Sequence, residues 1–393
     1  MIAKKKYAMM KLAEIRREKL YRTLKKVSLI SDMVIKVDGS RAINFCSNDY
    51  LGLSQHPAVL KAAKRRLNQV SQCSSRLLSG SSSDIHELED KLAKHRKTSS
   101  ALVYPTGYMA NIGVLTTLAD KDSIIYSDEL NHSSIIDGCR LSGATIRVFR
   151  HNSISSLQEI IALDRNLKST RKFVVTEGIF SMNGSIARLC EICQLAKNAN
   201  GMTVLDDSHG DFIFGRTKDY SGTADLLGVS RLIDVHVGSL SKAIGSFGGY
   251  VATSRSVREL LINSSKQFIY TSALPSHLCQ AAMAAISIAS KGVMQNKLRE
   301  NINYFIDSLK KLNLAVGEFT SPIIPIMIGD EEMSIKISTR LLKMGVFAQA
   351  IRYPTVKRGY AQLRVSITAK HTTEELDFAI SCLEKINKKF KLM

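Results

Sequence analysis

The sequence predicts an α/β fold: a mostly parallel sheet covered by helices on both faces, joined to a smaller α+β domain. Two patterns carry this expectation. From about residue 45 to 280, short β-branched or apolar runs alternate with helical patterns, the order that builds a parallel sheet buried on both sides. Beyond about residue 280 that alternation gives way to long helical stretches with a few strands between them, which reads as a second, smaller unit.

Residues 1 to about 45 read as a helix followed by a short strand pair. The opening MIAKKKYAMMKLAEIRREKL is basic, but Glu14, Glu18 and the periodic Leu12, Ile15 and Leu20 suit a surface helix better than a targeting segment. VIKVDGSRAINF alternates apolar and polar around Asp38-Gly39, a hairpin signal. Seven strand candidates follow: SALVYPTG, DSIIYSD, TIRVFRH, KFVVTEGI, MTVLDDSHG, DVHVGSLSK and GGYVATS. The rest reads as a helical stretch over 276–312, IIPIMIG, a helix near 332–344, VFAQAIR, AQLRVSIT and a closing helix. The expected division is 1–45 packing with the small domain, 46–280 as a large domain and 281–393 as the small one. Six prolines are too few for a Pro-rich linker, so the parts are expected to pack tightly.

Composition narrows the class. With 45% hydrophobic and 23% charged residues in a chain of 393, the balance is that of a globular protein with a sizeable core. No apolar run approaches the ~18–20 residues needed to span a bilayer, so no membrane role is expected. The seven cysteines are odd in number and follow no framework spacing, which fits reduced thiols in a cytoplasmic setting. Cys190 and Cys193 form a C-x-x-C pair, but inside a helical pattern with no second pair or histidine nearby, so no metal is expected. The formal charge of +20 would suit an anionic partner. Its lysines and arginines are spread along the chain without a nucleic-acid motif, so a solvated basic surface is the simpler reading.

In an open parallel sheet, ligands sit outside the carboxyl ends of the strands, and several polar segments follow the apolar runs directly. In VLDDSHGD, Asp206 can pair with a protonated ring nitrogen of a cofactor and His209 can reach a neighbouring polar atom. In HVGSLSKAIGSFGG, Lys242 is flanked by small residues that let a planar group approach an amine, and Ser239 and Ser241 offer hydroxyls to a phosphate. Gly107 in YPTGYMAN allows backbone N–H groups close to an anion. His132 in SDELNHSSIIDG could stack on a flat ring. Each feature alone has a bland alternative as a polar turn, a surface lysine or a structural histidine.

Their joint order is specific. NFCSNDYLGLSQHP, SRLLSG, YPTGYMAN, SDELNHSSIIDGCRLSGA, TEGIFSMNG, LDDSHG, GSLSKAIGSFGGY, FIYTSALPS and RYPTVKRGYAQLRVSITAKHT closely resemble the α-oxoamine synthases of fold type I, a family of pyridoxal 5'-phosphate (PLP) enzymes, over about residues 12–390. The resemblance implies a PLP-dependent acyltransferase that condenses an amino acid with an acyl thioester. It implies that Lys242 holds the cofactor covalently, Asp206 faces the pyridine nitrogen and His132 stacks over the ring. Ser181 and His209 would address the ring hydroxyl, while Gly107, Tyr108 and Ser239 would bind the phosphate. Arg364 would grip the amino-acid carboxylate, with Thr368 and Arg22 also contacting substrate. The family site is completed across a homodimer interface, with Ser272 contributed by the other subunit.

Within the family, SRLLSG, FIYTSALPS and IRYPTV resemble the branch that joins L-alanine to pimeloyl-CoA or a pimeloyl carrier protein, giving 8-amino-7-oxononanoate for biotin synthesis. Glycine with acetyl-CoA is the runner-up, a fatty-acyl signal synthase is more distant, and a non-catalytic basic anion-binding protein is the alternative of another class. One departure stands out. Cys73 and Ser74 in NQVSQCSSRLLSG occupy places where the family carries glycines, and their Cβ atoms bear on loop conformation and substrate specificity.

Overall fold

A computed structural model of the protein describes residues 2–167, 170–216, 219–314 and 321–390. Its strands are β1 (Val27–Ser31), β2 (Val34–Val37), β3 (Ser40–Asn44), β4 (Ser100–Tyr104), β5 (Ser123–Asp128), β6 (Thr145–Phe149) and β7 (Arg171–Glu177). They continue with β8 (Met202–Asp206), β9 (Val235–Ser239), β10 (Gly249–Thr253), β11 (Ile323–Gly329), β12 (Val346–Phe347), β13 (Gln349–Ile351) and β14 (Ala361–Ser366). All seven strand candidates between residues 100 and 253 form one sheet, in the order β4-β10-β9-β8-β7-β5-β6. Every pairing from β9 outward to β6 is parallel, and β10 runs antiparallel to both neighbours.

Strand alternation divides the apolar residues between two layers. Ile125, Phe173, Val175, Val204 and Val237 pack on one face with Val114, Leu115 and Ile135. Ile124, Val174 and Leu205 pack on the other with Leu189, Ile192 and Cys193. Each such side chain fully withdrawn from water contributes roughly 1.5–3 kcal/mol, which fixes the register and so the height at which each strand ends. The parallel register aligns the carboxyl ends of the strands: Glu177 is the partner of Asp206, and Asp206 that of Val237.

A smaller antiparallel sheet, β11-β14-β13, follows the large one in sequence. The N-terminal segment does not stand alone. The hairpin β2–β3 turns at Asp38 (φ 48) and Gly39 (φ 92), and β3 pairs in parallel with β12 from the far end of the chain. Ahead of it, the helix Ile2–Arg17 and β1 lie on the surface, with all five β1 residues exposed. The stretch 276–312 is two helices, Ser276–Ala289 and Val293–Lys311. Gly292 between them has φ 77, a left-handed backbone that ends one helix before the next begins.

Candidate active site

Where β8 ends, successive side chains of DDSHGD diverge. Asp206 accepts from Asn111 Nδ2 at 2.6 Å and from the backbone N–H of Ser208 at 3.0 Å. Asp207 turns the other way and accepts from Arg96 Nη1 at 3.0 Å and from the hydroxyl of Thr223 at 2.8 Å. Asp211 takes Arg96 Nη2 at 2.9 Å and His95 Nε2 at 2.8 Å. Arg96 is fully buried, so these two carboxylates compensate a charge that would otherwise be very costly inside the protein. Asp206 stands on this rigid base.

Lys242 follows β9 directly, and its Nζ lies 2.9 Å from His209 Nε2. Burial lowers the amine to about 8, with Asp206 and Glu177 opposing that shift and Arg364 adding to it. A neutral amine is the nucleophile, so this depression suits covalent chemistry near physiological pH. The same burial, with Lys242, Arg364 and His132 close by, holds His209 well below the usual histidine range. His209 Nδ1 meets the hydroxyl of Tyr50 at 2.8 Å. Tyr50 in turn donates to Asn48 Oδ1 at 3.1 Å.

Arg364, on β14, reaches the same cluster. Its Nε donates to the carbonyl of Ser181 at 2.7 Å, Nη1 to Ser366 Oγ at 2.8 Å and Nη2 to Asn48 Oδ1 at 3.2 Å. Ser181 also donates its N–H to Glu177 Oε2 at 3.3 Å. Among the described residues, Glu177 Oε1 has no hydrogen-bond partner although the atom is buried.

The opposite end of the site is built around the helix Gly107–Leu118. Its N-cap Thr106 accepts from the N–H of Met109, which leaves the preceding N–H groups of the first turn pointing out of the helix. A Cβ at Gly249 would lie 2.3 Å from the Gly107 nitrogen. Only glycine there lets the helix start press against β10. A Cβ at Gly107 would lie 3.6 Å from Ser239 Cβ, and Ser239 Oγ is 2.9 Å from Ser241 Oγ. Gly107 and Ser239 therefore share one corner, with helix-end donors and hydroxyls suited to an anion.

His132 caps the helix Ser133–Ser142. Its Nδ1 accepts from the Ser134 backbone at 3.2 Å and meets Ser134 Oγ at 2.7 Å, which places the ring proton on Nε2. Ser134 Oγ also accepts from Asn111, so His132 and Asp206 are joined through two intermediate side chains. Tyr108 is exposed, donates its hydroxyl to Asp137 and sits edge-on to His132, with ring centroids 6.4 Å apart.

Three residues singled out from the sequence lie apart from this cluster. Thr368 is fully buried, its hydroxyl 3.2 Å from His371 Nδ1 and 3.4 Å from Met33 Sδ. Arg22 hydrogen-bonds Thr355 at 3.3 Å in an open groove of about 580 Å³ that also contains Tyr21, Leu24 and Arg352. Ser272 bridges to Ser75, beside the loop where Cys73 takes φ 51. Conversely, Tyr50, Asn48, Asn111 and Glu177 are central to the geometry and were not singled out. All four lie in segments whose order carried the resemblance, but their partners are remote in sequence.

Comparison with known proteins identifies the family. A model of the class I and II aminotransferases matches residues 40–383. The 8-amino-7-oxononanoate synthase of Thermoanaerobacter pseudethanolicus is 38% identical over 98% of this chain and 97% of its own. The chain belongs to the α-oxoamine synthases. Serine palmitoyltransferase from S. paucimobilis, solved with bound PLP–myriocin, superposes on this α-oxoamine synthase with a TM-score of 0.92 and 28% identity, covering 100% of this chain and 99% of that one. The 8-amino-7-oxononanoate synthase of Francisella tularensis superposes with a TM-score of 0.75 and 26% identity over 89% and 99% of the two chains.

This α-oxoamine synthase is a PLP-dependent enzyme, and the donor set fits that cofactor. A depressed amine, a buried carboxylate with spare acceptor capacity, an exposed imidazole and a helix-end anion corner lie along the carboxyl edge of one sheet. Beside Asp206 on the neighbouring strand, the buried Glu177 Oε1 is left without a hydrogen-bond partner among the described residues.

Proposed function

We propose that this enzyme condenses L-alanine with a pimeloyl thioester, carried on CoA or a carrier protein, to give 8-amino-7-oxononanoate, CO2 and the free thiol, a step in biotin synthesis. The reading rests on near-full-length similarity to synthases of that name, 36–40% identical over 95–98% of this chain. In the site, it is carried by one observation: the buried Arg364 guanidinium faces the Lys242–His209 cluster through Tyr50 and Asn48, where a carboxylate-bearing amino acid needs a fixed cation.

Delocalisation of the α-carbon electron pair is the chemistry that PLP supplies when bound. Lys242 would hold the cofactor and serve as the base for the α-proton. Asp206, kept in place by Asn111 and Ser208, would pair with the ring nitrogen, and His132 would lie against the ring. Ser181 and His209 would address the ring hydroxyl. Gly107 and Tyr108 would offer backbone N–H groups, and Ser239 its hydroxyl, to the phosphate. Arg364 would fix the amino-acid carboxylate; Arg22 and Thr368, which lie apart from the cluster, would contact substrate as the family resemblance implies. We assign Ser272 to the neighbouring site of a homodimer. The parts of the chain act as the N-terminal 1–45, large 46–280 and small 281–393 domains, and the enzyme works in the cytoplasm without nucleic acid or membrane.

The test is to supply the PLP-loaded enzyme with L-alanine and pimeloyl-CoA, or with glycine and acetyl-CoA, measuring thiol release and product mass. Thiol release with the mass of 8-amino-7-oxononanoate supports the reading. Turnover only with glycine and acetyl-CoA replaces it.

A further inference from the structure

The turn at 180–185 is where the large sheet meets the small one. Phe180 N–H donates to the Ser185 carbonyl at 2.9 Å, and Ile179 bridges to Ile186, so the turn is closed at its base. Its tip faces β11 and β14. The Ser181 carbonyl accepts from Arg364 Nε at 2.7 Å and the Met182 carbonyl from Gln362 Nε2 at 2.7 Å, while a Cβ at Gly184 would lie 2.2 Å from the Ile323 carbonyl oxygen. The Nε edge of Arg364 is therefore held by the backbone of this turn, and where the turn stands decides how the planar guanidinium is presented.

From the large-sheet side the turn rests on His151, just beyond β6. His151 Nδ1 lies 3.0 Å from Asp128 Oδ1 at the end of β5, and Nε2 lies 2.8 Å from Ser185 Oγ and 3.2 Å from Asn183 Nδ2. Its ring also packs edge-on against Phe180, with centroids 4.3 Å apart. Donor and acceptor chemistry sets the directions. The buried Asp128 carboxylate already accepts N–H groups from Leu130 at 2.9 Å and Asn152 at 3.0 Å, so Nδ1 donates to it as well. Nε2 then accepts from the turn, and Asn183 Oδ1 takes the Ser185 N–H at 3.1 Å. A carboxylate fixed to β5 thus reaches, through one imidazole, the turn that holds Arg364.

Asp128, His151 and Ser185 stand in the order of a carboxylate–imidazole–hydroxyl relay. Ser185 is buried, however, and its hydroxyl lies between His151 and Asn183 Oδ1, 2.9 Å from the latter, a place suited to bracing and not to attack on a substrate. We infer that His151 is a positioning residue for Arg364: held by Asp128, it braces the 180–185 turn, whose Ser181 carbonyl orients the guanidinium that would receive the amino-acid carboxylate. That last clause rests on the proposed reaction, whereas the bracing does not. None of His151, Asn183 and Ser185 is among the groups assigned to the cofactor, so loading with PLP leaves the brace in place.

His151→Ala in the PLP-loaded enzyme should free the turn. Arg364 Nε–H, whose 15N signal is assigned by its loss in Arg364→Lys, should exchange with water about tenfold faster once the Ser181 carbonyl no longer holds it. The Kd for L-alanine, read from the cofactor absorbance without thioester, should rise about threefold to tenfold, the size of one lost hydrogen bond, with the KM for the thioester unchanged. Because His151 acts through Arg364, adding His151→Ala to Arg364→Lys should weaken L-alanine binding by less than about twofold more. Asn183→Ala, which leaves Asp128 and His151 paired, should show the same pattern in smaller measure, and it keeps the test open if His151→Ala fails to fold. Unchanged Nε–H exchange in both variants, or losses of L-alanine binding that multiply in the double variant, would overturn the inference. Faster Nε–H exchange in variants of an enzyme that releases no thiol with L-alanine and pimeloyl-CoA would support the bracing and count against the proposed reaction alone.

Discussion

Glu177 and Asp206 stand side by side as the last residues of adjacent parallel strands, both almost completely buried. Burial and the neighbouring Asp206 charge push the Glu177 carboxyl well above its ordinary value. Glu177 therefore keeps its proton to a higher pH than an ordinary glutamate.

Glu177→Gln copies that protonated form. The folded protein keeps a proton on Glu177 that the unfolded chain releases above about 4.5, so this group lowers stability as pH rises from there towards its folded pKa. The variant should be more stable than the parent at pH 8 and equal to it below pH 4.5. Urea unfolding at both pH values checks this; an equal difference at both would contradict the assignment.

Lys242→Met should abolish turnover and covalent cofactor retention. For the depressed amine the sign is reversed: the unfolded chain binds the proton up to 10.5 and the folded one only up to about 8. Stability of the PLP-free parent should therefore rise with pH between 8 and 10.5. Relative to it, Lys242→Met should be stabilised at pH 7 by about 3 kcal/mol, with the gain vanishing near pH 10.5.

Arg96→Met would leave Asp207 and Asp211 as buried carboxylates without their shared cation. Removing one partner of such a network typically costs about 3–5 kcal/mol. The expected result is a large fall in the urea midpoint with weakened PLP retention, because Asp206 and His209 are held by the same turn. A midpoint unchanged from the parent would show that the network does not support the site.

Arg364→Lys keeps the charge but loses the planar fork that reaches Ser181, Ser366 and Asn48. The KM for L-alanine should rise about tenfold to a hundredfold, a loss of roughly 1.4–3 kcal/mol, while the KM for the thioester stays near its parent value. Steady-state kinetics with each substrate varied in turn distinguishes this from a general loss of activity.

Cys73 holds φ 51, a left-handed backbone conformation that costs a non-glycine residue about 1–2 kcal/mol. Cys73→Gly removes that strain but adds chain entropy on unfolding of about 0.5–1 kcal/mol. A net gain of up to about 1 kcal/mol is expected, measured by urea unfolding. A loss would mean that the thiol makes a contact in the assembled enzyme.

Much of this architecture was legible from residue pattern. Strand-length runs such as KFVVTEGI and MTVLDDSHG alternate with helical periodicity, and a parallel sheet requires that its strands be apolar on both faces. Lys242, Asp206, His209 and His132 were legible because each lies at the carboxyl end of a strand or within four residues beyond it, at the edge where such sheets place ligands. The role of Tyr50 was not. It meets His209 across 159 residues of sequence, and a tyrosine in an apolar run looks like core. Glu177 looked like an ordinary strand end until the register set it against Asp206. Asn48 gained its meaning from Arg364, which is 316 residues away.

The sequence by itself determined the strands, the order of the motifs and the kinds of group that line the site, because these follow from local periodicity and side-chain chemistry. Only the tertiary structure decided which carboxylate of DDSHGD faces Lys242, which is neutralised by Arg96, and how Tyr50 connects His209 to Asn48. Protonation and hydrogen-bond direction depend on distance and burial, and both are set by elements that meet only when the chain is folded.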